Sequence, residues 1–584
     1  MYIFLSQTPH TQYRLHHSSC PIWRKDELGR KALQKKLESF LKMFAAVKGP
    51  QQLFKHQILL QIFVSLLANP DARLSNLAFA CVSRFKLPYL TPYVDYIHPM
   101  LKREGLREAI TKFDLSEGSE IVDVEHRLLL VPIVTRILFG RFSSRGGGTN
   151  KSSKDSPAAR RAAILSFFSG IGNEKGELDY FIYMMVRAFI PRDVSMQHDG
   201  VQIDKESLTT LIKSSERITA QELTSIPEKR QEGFLNLLSD VISQIGFGVK
   251  PFVGTFVNLL LSICEQTEQA YLTSIRNQLA LKNEETSNEL TVSDEVQDAV
   301  SDEVQDGEVP GNSRIGRIRS LAFLRLAGMM KKFASTVDFS SHSERLWTSM
   351  STSVTALPQT VINAENTPSL LQLIETISVH HRLIPLLHQS DDAVVAVFKC
   401  IAGTTRMKVM FCVLRIIDGL LTDGGTLNDT TVSMNVESMG QSLILQHIHL
   451  LITQFTDRLT KESQQIVNLE ENIGSNPRAS MNRPSKHSPT EGMQLNILCR
   501  VSELLVSAEQ ADDDHIATMN DLCGMLVPLL KFDSHPKQLY VVRTVNSLIP
   551  RLSSAEAAMT HFHTLSKVSC IIHSSYCMFI IAFS

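Results

Sequence analysis

Tryptophan is nearly absent from this chain of 584 residues, occurring only as Trp23 and Trp347, and all aromatic residues together make up 7%. The nine cysteines, at 20, 81, 264, 400, 412, 499, 523, 570 and 577, are scattered, odd in number and without a CxxC pair. That pattern argues against a disulfide framework and reads as a reduced, intracellular set. Glycine is sparse at 28 residues, and a Leu-rich, Gly-poor chain reads as all-helical. The terminal apolar runs are short: MYIFL lacks the length of a signal-peptide core, and CMFIIAF falls far below the ~20 residues a bilayer-spanning helix needs. No membrane partner is expected.

Catalytic constellations are missing too. There is no H-E-x-x-H, no G-x-S-x-G and no G-x-G-x-x-G after a strand. GGGTNKS (146–152) imitates the end of a phosphate-binding Walker A loop, but Asn150 stands before Lys151 where glycine is needed and no strand precedes it. His16, His17 and Cys20 lack a fourth ligand nearby. The pairs His380-His381 and His447/His449 lie in apolar helical segments and read as partly buried histidines, since adjacent residues on a helix do not face one site. The expectation is a protein that is not an enzyme and has no metal, cofactor or small-molecule substrate.

The formal net charge is only −1, but it is unevenly spread. Residues 1–200 carry 28 Lys or Arg against 18 Asp or Glu, and the remaining 384 carry 31 against 42. A polyanion would meet the front of the chain first.

Helical periodicity is what the chain has in abundance. Leu33, Leu37, Leu41 and Phe44 share one helical face; after Gly49-Pro50, Leu53, Ile58, Ile62 and Leu66 mark a second helix that Asn69-Pro70 ends. Leu74, Leu77, Ala78 and Cys81 mark a third, and LPYLTPYVDYIHPML opens another. Similar wording returns at 385–403 and 528–550: a Pro-Leu-Leu helix end, an Asp-containing turn, then a helix with Val or Leu facing in. That is the pattern of HEAT-type repeats of roughly 40–47 residues, in which the acidic turn residue caps the second helix and stacked pairs bury a core no single pair could bury. The expected fold class is all-α, a HEAT/armadillo-like α-solenoid with disordered insertions. Residues 175–190 predict a very apolar helix closed by Pro191, with Met184 and Met185 in the core. Further helices are expected at 227–246, 250–281, 314–334, 370–388, 407–421 and 443–455. On 314–334, Arg314, Arg317, Arg319, Arg325, Lys331 and Lys332 form a basic side, readable as a secondary RNA surface or as a solvated helix face.

Residues 283–313 hold ten acids and no Lys or Arg, including the tandem VSDEVQDA and VSDEVQDG. Such composition cannot bury enough apolar surface to offset the entropy of ordering. A disordered acidic insertion is therefore expected between repeats at 26–282 and 314–469. Residues 470–491, with three prolines, are expected to link to repeats at 492–565. The segments 1–25 and 566–584 lack the repeat pattern.

Binding chemistry concentrates between Glu125 and Gly170. Leu130, Ile133, Val134, Ile137 and Leu138 share one helical face, and Ala159, Ala162, Ala163 and Phe167 repeat the spacing after Pro157. Between them lies a basic Gly/Ser loop, 141–157. Arg136, Arg141, Arg145, Lys151, Lys154, Arg160 and Arg161 face a single acid, Asp155. Ser156 and Pro157 read as N-cap and first residue of the second helix, which puts Arg160 and Arg161 where the macrodipole disfavours cations by ~0.3–1 kcal/mol each. A phosphate there would meet free backbone N–H groups and two guanidinium forks, with Gly146, Gly147 and Gly148 permitting close approach. The seven cations are the candidate RNA phosphate contacts; a solvated loop is the other reading of the same run.

The same residues carry a resemblance. The run from Leu128 to Phe142 with its R-I-L-F-G-R core, the basic loop, and R-A-A-I-L-S-F-F-S-G after it resemble the large HEAT-repeat component of the small-subunit processome, a family also called down-regulated in metastasis. FLKMFAAVKGPQQLF, RIRSLAFLRLAGMMKKFAS and VLRIIDGLL extend the likeness. The resemblance implies a non-catalytic nucleolar scaffold in ribosome biogenesis, acting in pre-rRNA processing and 18S rRNA maturation. Its implied partners are pre-rRNA, snoRNP components and other processome proteins. Members of the family are several times longer, so the resemblance also implies an internal piece, a short isoform or a truncated form. A karyopherin-like transport adaptor, binding basic cargo through the acidic rear half, is the alternative.

Overall fold

The structure, a computed structural model, describes residues 29–102, 105–116, 118–143, 156–171, 177–191, 205–285, 314–362, 364–404, 406–422, 433–458, 489–507 and 522. Among these residues there are helices and turns and no strand. The fold is an all-α, HEAT/armadillo-like solenoid, and it divides into two compact units, Met1–Thr267 and Glu268–Ser584.

The first unit begins with α1 (Arg30–Ala46), α2 (His56–Leu66) and α3 (Ala72–Arg84), where the apolar spacing places them. Asp71 caps α3, its carboxylate accepting from the Arg73 N–H at 2.9 Å, as the repeat pattern requires. Leu74, Ala78, Phe79, Cys81 and Val82 are buried as α3 packs on α1 and α2. The next expected helix breaks up instead. Pro88, Pro92 and Pro99 leave only tight turns and one helical turn at Val94–Ile97, because proline supplies no N–H and clashes with the preceding turn.

Helix pairing then resumes with α4 (Leu106–Lys112), α5 (Val124–Ser143), α6 (Pro157–Ile171), α7 (Glu177–Val186), α8 (Lys205–Ser214) and α9 (Glu228–Gln244). One row runs α1, α3, α5, α7, α8, each on the next; a second row runs α4, α6, α9. α5 is the enclosed member, with every residue from Leu130 to Leu138 buried. It approaches the end of α2 so closely that a Cβ at Gly140 would lie 3.0 Å from the Ala68 backbone carbon. Met184 and Met185 are buried on α7, as expected of core residues.

α10 (Val253–Glu285) follows. The stretch Gly246–Thr273 is long and apolar enough to cross a bilayer, but 67% of its apolar window is buried inside the protein. Two of its hydroxyls are served there: Thr255 Oγ1 donates to Glu216 at 2.6 Å and Ser262 Oγ to the Ile218 carbonyl at 3.0 Å.

The second unit contains α11 (Arg314–Phe333), α12 (Leu357–Ile362), α13 (Ser369–Val379), α14 (Asp391–Gly403), α15 (Met407–Leu421), α16 (Ser433–Gln446) and α17 (Pro489–Ser507). α11, α13, α15 and α17 stack in one row, and α12 packs on α14 in the other. A Cβ on Gly419 of α15 would sit 2.9 Å from the Ser378 carbonyl oxygen, so α13 and α15 meet backbone to backbone. The helix expected at 443–455 is interrupted at His447, between α16 and 448–458. Arg458 on that last segment donates to the Ile401 carbonyl at 3.2 Å and to the Thr404 carbonyl, tying it to the end of α14.

Cys81, Cys264, Cys400, Cys412 and Cys499 are buried, and burial pushes the Cys81 and Cys400 thiols up to about 12. The repeat at 528–550, most of the two expected insertions and both termini lie outside the described residues.

Candidate nucleic-acid interface

α5 ends at Ser143 and α6 begins at Pro157, so the basic loop is framed by described residues; Arg145, Lys151 and Lys154 themselves lie outside them. The two candidate cations on α5 do not face solvent. Arg136 is 6% exposed: its guanidinium lies over the Tyr180 ring at 5.1 Å, and Nη1 donates to the Pro132 carbonyl at 3.1 Å. Arg141 is 2% exposed. Both of these candidate phosphate contacts thus lie inside the fold rather than on its surface. α5 has neighbours in α2, α3, α6 and α7, so its polar positions are enclosed along with its apolar ones. Arg127 is buried on the same helix, and α7 brings a buried carboxylate, Asp179. Burial in this layer also pushes the Tyr180 phenol up, an effect that the charge of Arg136 partly opposes.

The expected cap on α6 is present. Ser156 Oγ accepts from the Ala159 N–H at 3.1 Å, and the Ser156 carbonyl accepts from the Arg160 N–H at 3.0 Å. The buried stripe differs: Ile164, Leu165 and Phe168 point inward, while Ala159, Ala162, Ala163 and Phe167 are half-buried. Larger side chains remove more apolar area from water, so they rather than the alanines set which way α6 turns between α4 and α9. Phe168 meets Phe181 of α7 with ring centroids 4.6 Å apart.

Arg161 has an internal partner. Its Nη1 lies 3.0 Å from Asp240 Oδ2 on α9, with both side chains a little over one-third exposed, and its Nε donates to the Pro157 carbonyl at 3.4 Å. A carboxylate from the neighbouring repeat thus offsets the unfavourable dipole end, and no phosphate is required to explain the arginine. Arg160 beside it is half-buried. Among the described candidates, Arg136 and Arg141 are thus buried, while Arg160 and Arg161 are half-buried.

The basic side of α11 is likewise divided. Arg319 turns inward over the Tyr271 ring at 4.5 Å, with Nη1 3.8 Å from Glu268 Oε2 and 3.4 Å from Ser353 Oγ. Glu268 also accepts from the Ser353 N–H at 2.9 Å and its hydroxyl at 2.7 Å, so the arginine belongs to a packing network. Arg314, Arg317 and Lys331 remain exposed. His380 is half-buried, and burial, reinforced by Lys331 and His381, lowers its pKa.

Residues 31–575 match the family described as U3 small nucleolar RNA-associated protein 20, N-terminal. The chain belongs to this family. It is also similar to the U3 small nucleolar RNA-associated protein 20 of Schizosaccharomyces pombe (strain 972 / ATCC 24843), 24% identical over 225 residues. That alignment covers 38% of this chain and 8% of the relative's length. The family match begins within α1, well ahead of the 120–190 region where the sequence signature is densest, and takes in repeats of both units. Within it, exposed cations that motif reading passes over lie between α1 and α3. The signal for them is an excess of ten Lys or Arg over two acids in residues 30–86.

Proposed function

We propose that this chain is a non-catalytic helical-repeat scaffold of the small-subunit processome, acting in the nucleolus in pre-rRNA processing and maturation of the small ribosomal subunit. The observation that carries this reading is the family match across residues 31–575. The paired-helix architecture supports it, because stacked repeats offer extended surface for several partners at once. In this reading the solenoid holds assembly proteins, while pre-rRNA or snoRNP phosphates are met by cations outside the core. Of the seven candidate cations, Arg145, Lys151, Lys154 and Arg160 keep that proposed role. Contacts of this kind position rather than read sequence, so binding is weakly sequence-specific and strongly salt-dependent.

Sedimentation of the tagged chain from nucleolar extract tests the reading. Migration with large preribosomal particles, together with recovery of the U3 small nucleolar RNA, is the expected result. Migration as free protein, or with a small GTPase as a transport adaptor would, removes it.

A further inference from the structure

We propose that the edge where α1, α2 and α3 meet is a platform for single-stranded RNA, on which Lys48, Lys55, Arg84 and Lys86 hold phosphates and Phe54 stacks on a base. The choice of RNA among polyanions rests on the reading of the chain as a ribosome-assembly factor; the platform itself rests on geometry.

Residues 30–86 contain two acids, and both are engaged: Glu38 lies 2.9 Å from Lys42 Nζ, and Asp71 caps α3 with Arg73 3.7 Å away. Lys48, Lys55, Arg84 and Lys86 are exposed, and none of the four is in an ion pair among the described residues. Tertiary hydrogen bonds draw them to one edge. Arg84 Nε donates to the Ala45 carbonyl at 2.8 Å, and Gln51 Nε2 donates to the Phe85 carbonyl. The end of α1, the turn into α2 and the end of α3 are thereby joined. Beneath them Phe44, Phe63 and Phe85 form a cluster of tilted and edge-on rings, with centroids 5.5 and 6.4 Å apart, that gives the edge a packed base.

Two features of this edge are unexplained by folding. Phe54 is 86% exposed, more than any other exposed large hydrophobic residue among those described, with Lys55 Nζ 5.3 Å from its ring centroid. An aromatic ring in water beside cations is the arrangement with which proteins hold unpaired bases. Lys55 (φ 56°) and Lys86 (φ 48°) are the only non-glycine residues with positive φ among the described residues, and both lie here. Side chains with a Cβ disfavour that conformation, and strain of this kind gathers at binding sites. Lys55 is moreover the N-cap of α2 and makes no side-chain cap, at a helix end where serine or aspartate is favoured and a cation is not. Helix stability therefore does not account for it. A duplex would offer the phosphates but hide its bases, and an acidic peptide would use the cations and leave Phe54 without a role.

Fluorescence anisotropy of the full chain with a labelled short oligouridylate, over a potassium chloride series, tests the proposal. The combined Lys48→Glu, Lys55→Glu and Lys86→Glu variant is expected to bind about tenfold or more weakly, with the slope of log K against log salt reduced by about 2. Phe54→Ala is expected to bind about fivefold or more weakly with its slope unchanged. Lys86→Gly is expected to melt at a higher temperature while binding RNA less well, a pairing that a merely structural lysine would not produce. Circular dichroism confirms that each variant keeps its helices. Unchanged affinity and slope in the triple variant, or parental affinity in Phe54→Ala, overturns the proposal. So does polyglutamate that binds as tightly as oligouridylate and equally well to Phe54→Ala, since an acidic protein is then the occupant. Preribosomal sedimentation with an inert platform would leave the scaffold reading standing without the platform; RNA binding through the platform by a chain that stays out of preribosomal particles would do the reverse.

Discussion

Residues 30–86 and helix α5 both concentrate cations in the first unit, and the two regions treat them in opposite ways. On the edge of α1–α3 the acids are engaged locally and Lys48, Lys55, Arg84 and Lys86 stand in solvent. On α5 the arginines at 127, 136 and 141 are 4%, 6% and 2% exposed. α5 is surrounded and its arginines are packing elements, whereas α1–α3 present a free edge. Charge density along a sequence therefore identifies where cations are, while the number of neighbouring helices decides whether a ligand can reach them.

The sharpest way to break this contrast is Arg136→Glu. If the residue is a core element, the change removes the cation over Tyr180, buries a carboxylate in its place, and costs about 3 kcal/mol or more in chemical unfolding followed by circular dichroism. Unchanged stability would return Arg136 to the surface. Gly140→Ala probes the same enclosure through the backbone. The added methyl would press on Ala68 and Asn69 backbone atoms at 3.0 Å, and a loss of about 1–3 kcal/mol is expected in the same measurement. On the exposed side, Lys86→Gly relieves a left-handed lysine and is expected to stabilise by about 1 kcal/mol, read as a higher melting temperature. The smallest effect belongs to Arg161 and Asp240, midway between the two regimes. A double-mutant cycle to alanine is expected to give a coupling of about 1 kcal/mol or less that fades as salt is added, because the pair is more than one-third exposed. A coupling of several kcal/mol that ignores salt would place Arg161 with the buried set.

Much of the fold is legible in the amino-acid sequence. Leu33 to Phe44 and Leu74 to Cys81 announce α1 and α3, Asp71 announces its cap, and Ser156-Pro157 announces the start of α6. Each of these is a property of residues within one or two helical turns. The departures involve neighbours distant along the chain. The inward stripe of α6 is set by α4 and α9, and Arg136 and Arg141 are buried on a helix packed against α2, α3, α6 and α7. Arg319 is drawn off a basic helix face by Tyr271 and Glu268. The edge of α1–α3 shows the same limit from the other direction. Its surplus of lysines is countable, but only the bonds from Arg84 to Ala45 and from Gln51 to Phe85 bring those lysines together.

By itself the amino-acid sequence determined that this protein is a succession of amphipathic helices in HEAT-like pairs, and it carried enough signature to mark the family. Helix formation, capping and periodicity depend on residues a few positions apart, so they can be read in one dimension. Only the tertiary structure decided which cations remain available to a ligand. The field and solvation around a charged group depend on everything within several ångströms in space, and in stacked repeats most of that arrives from about forty or more residues away.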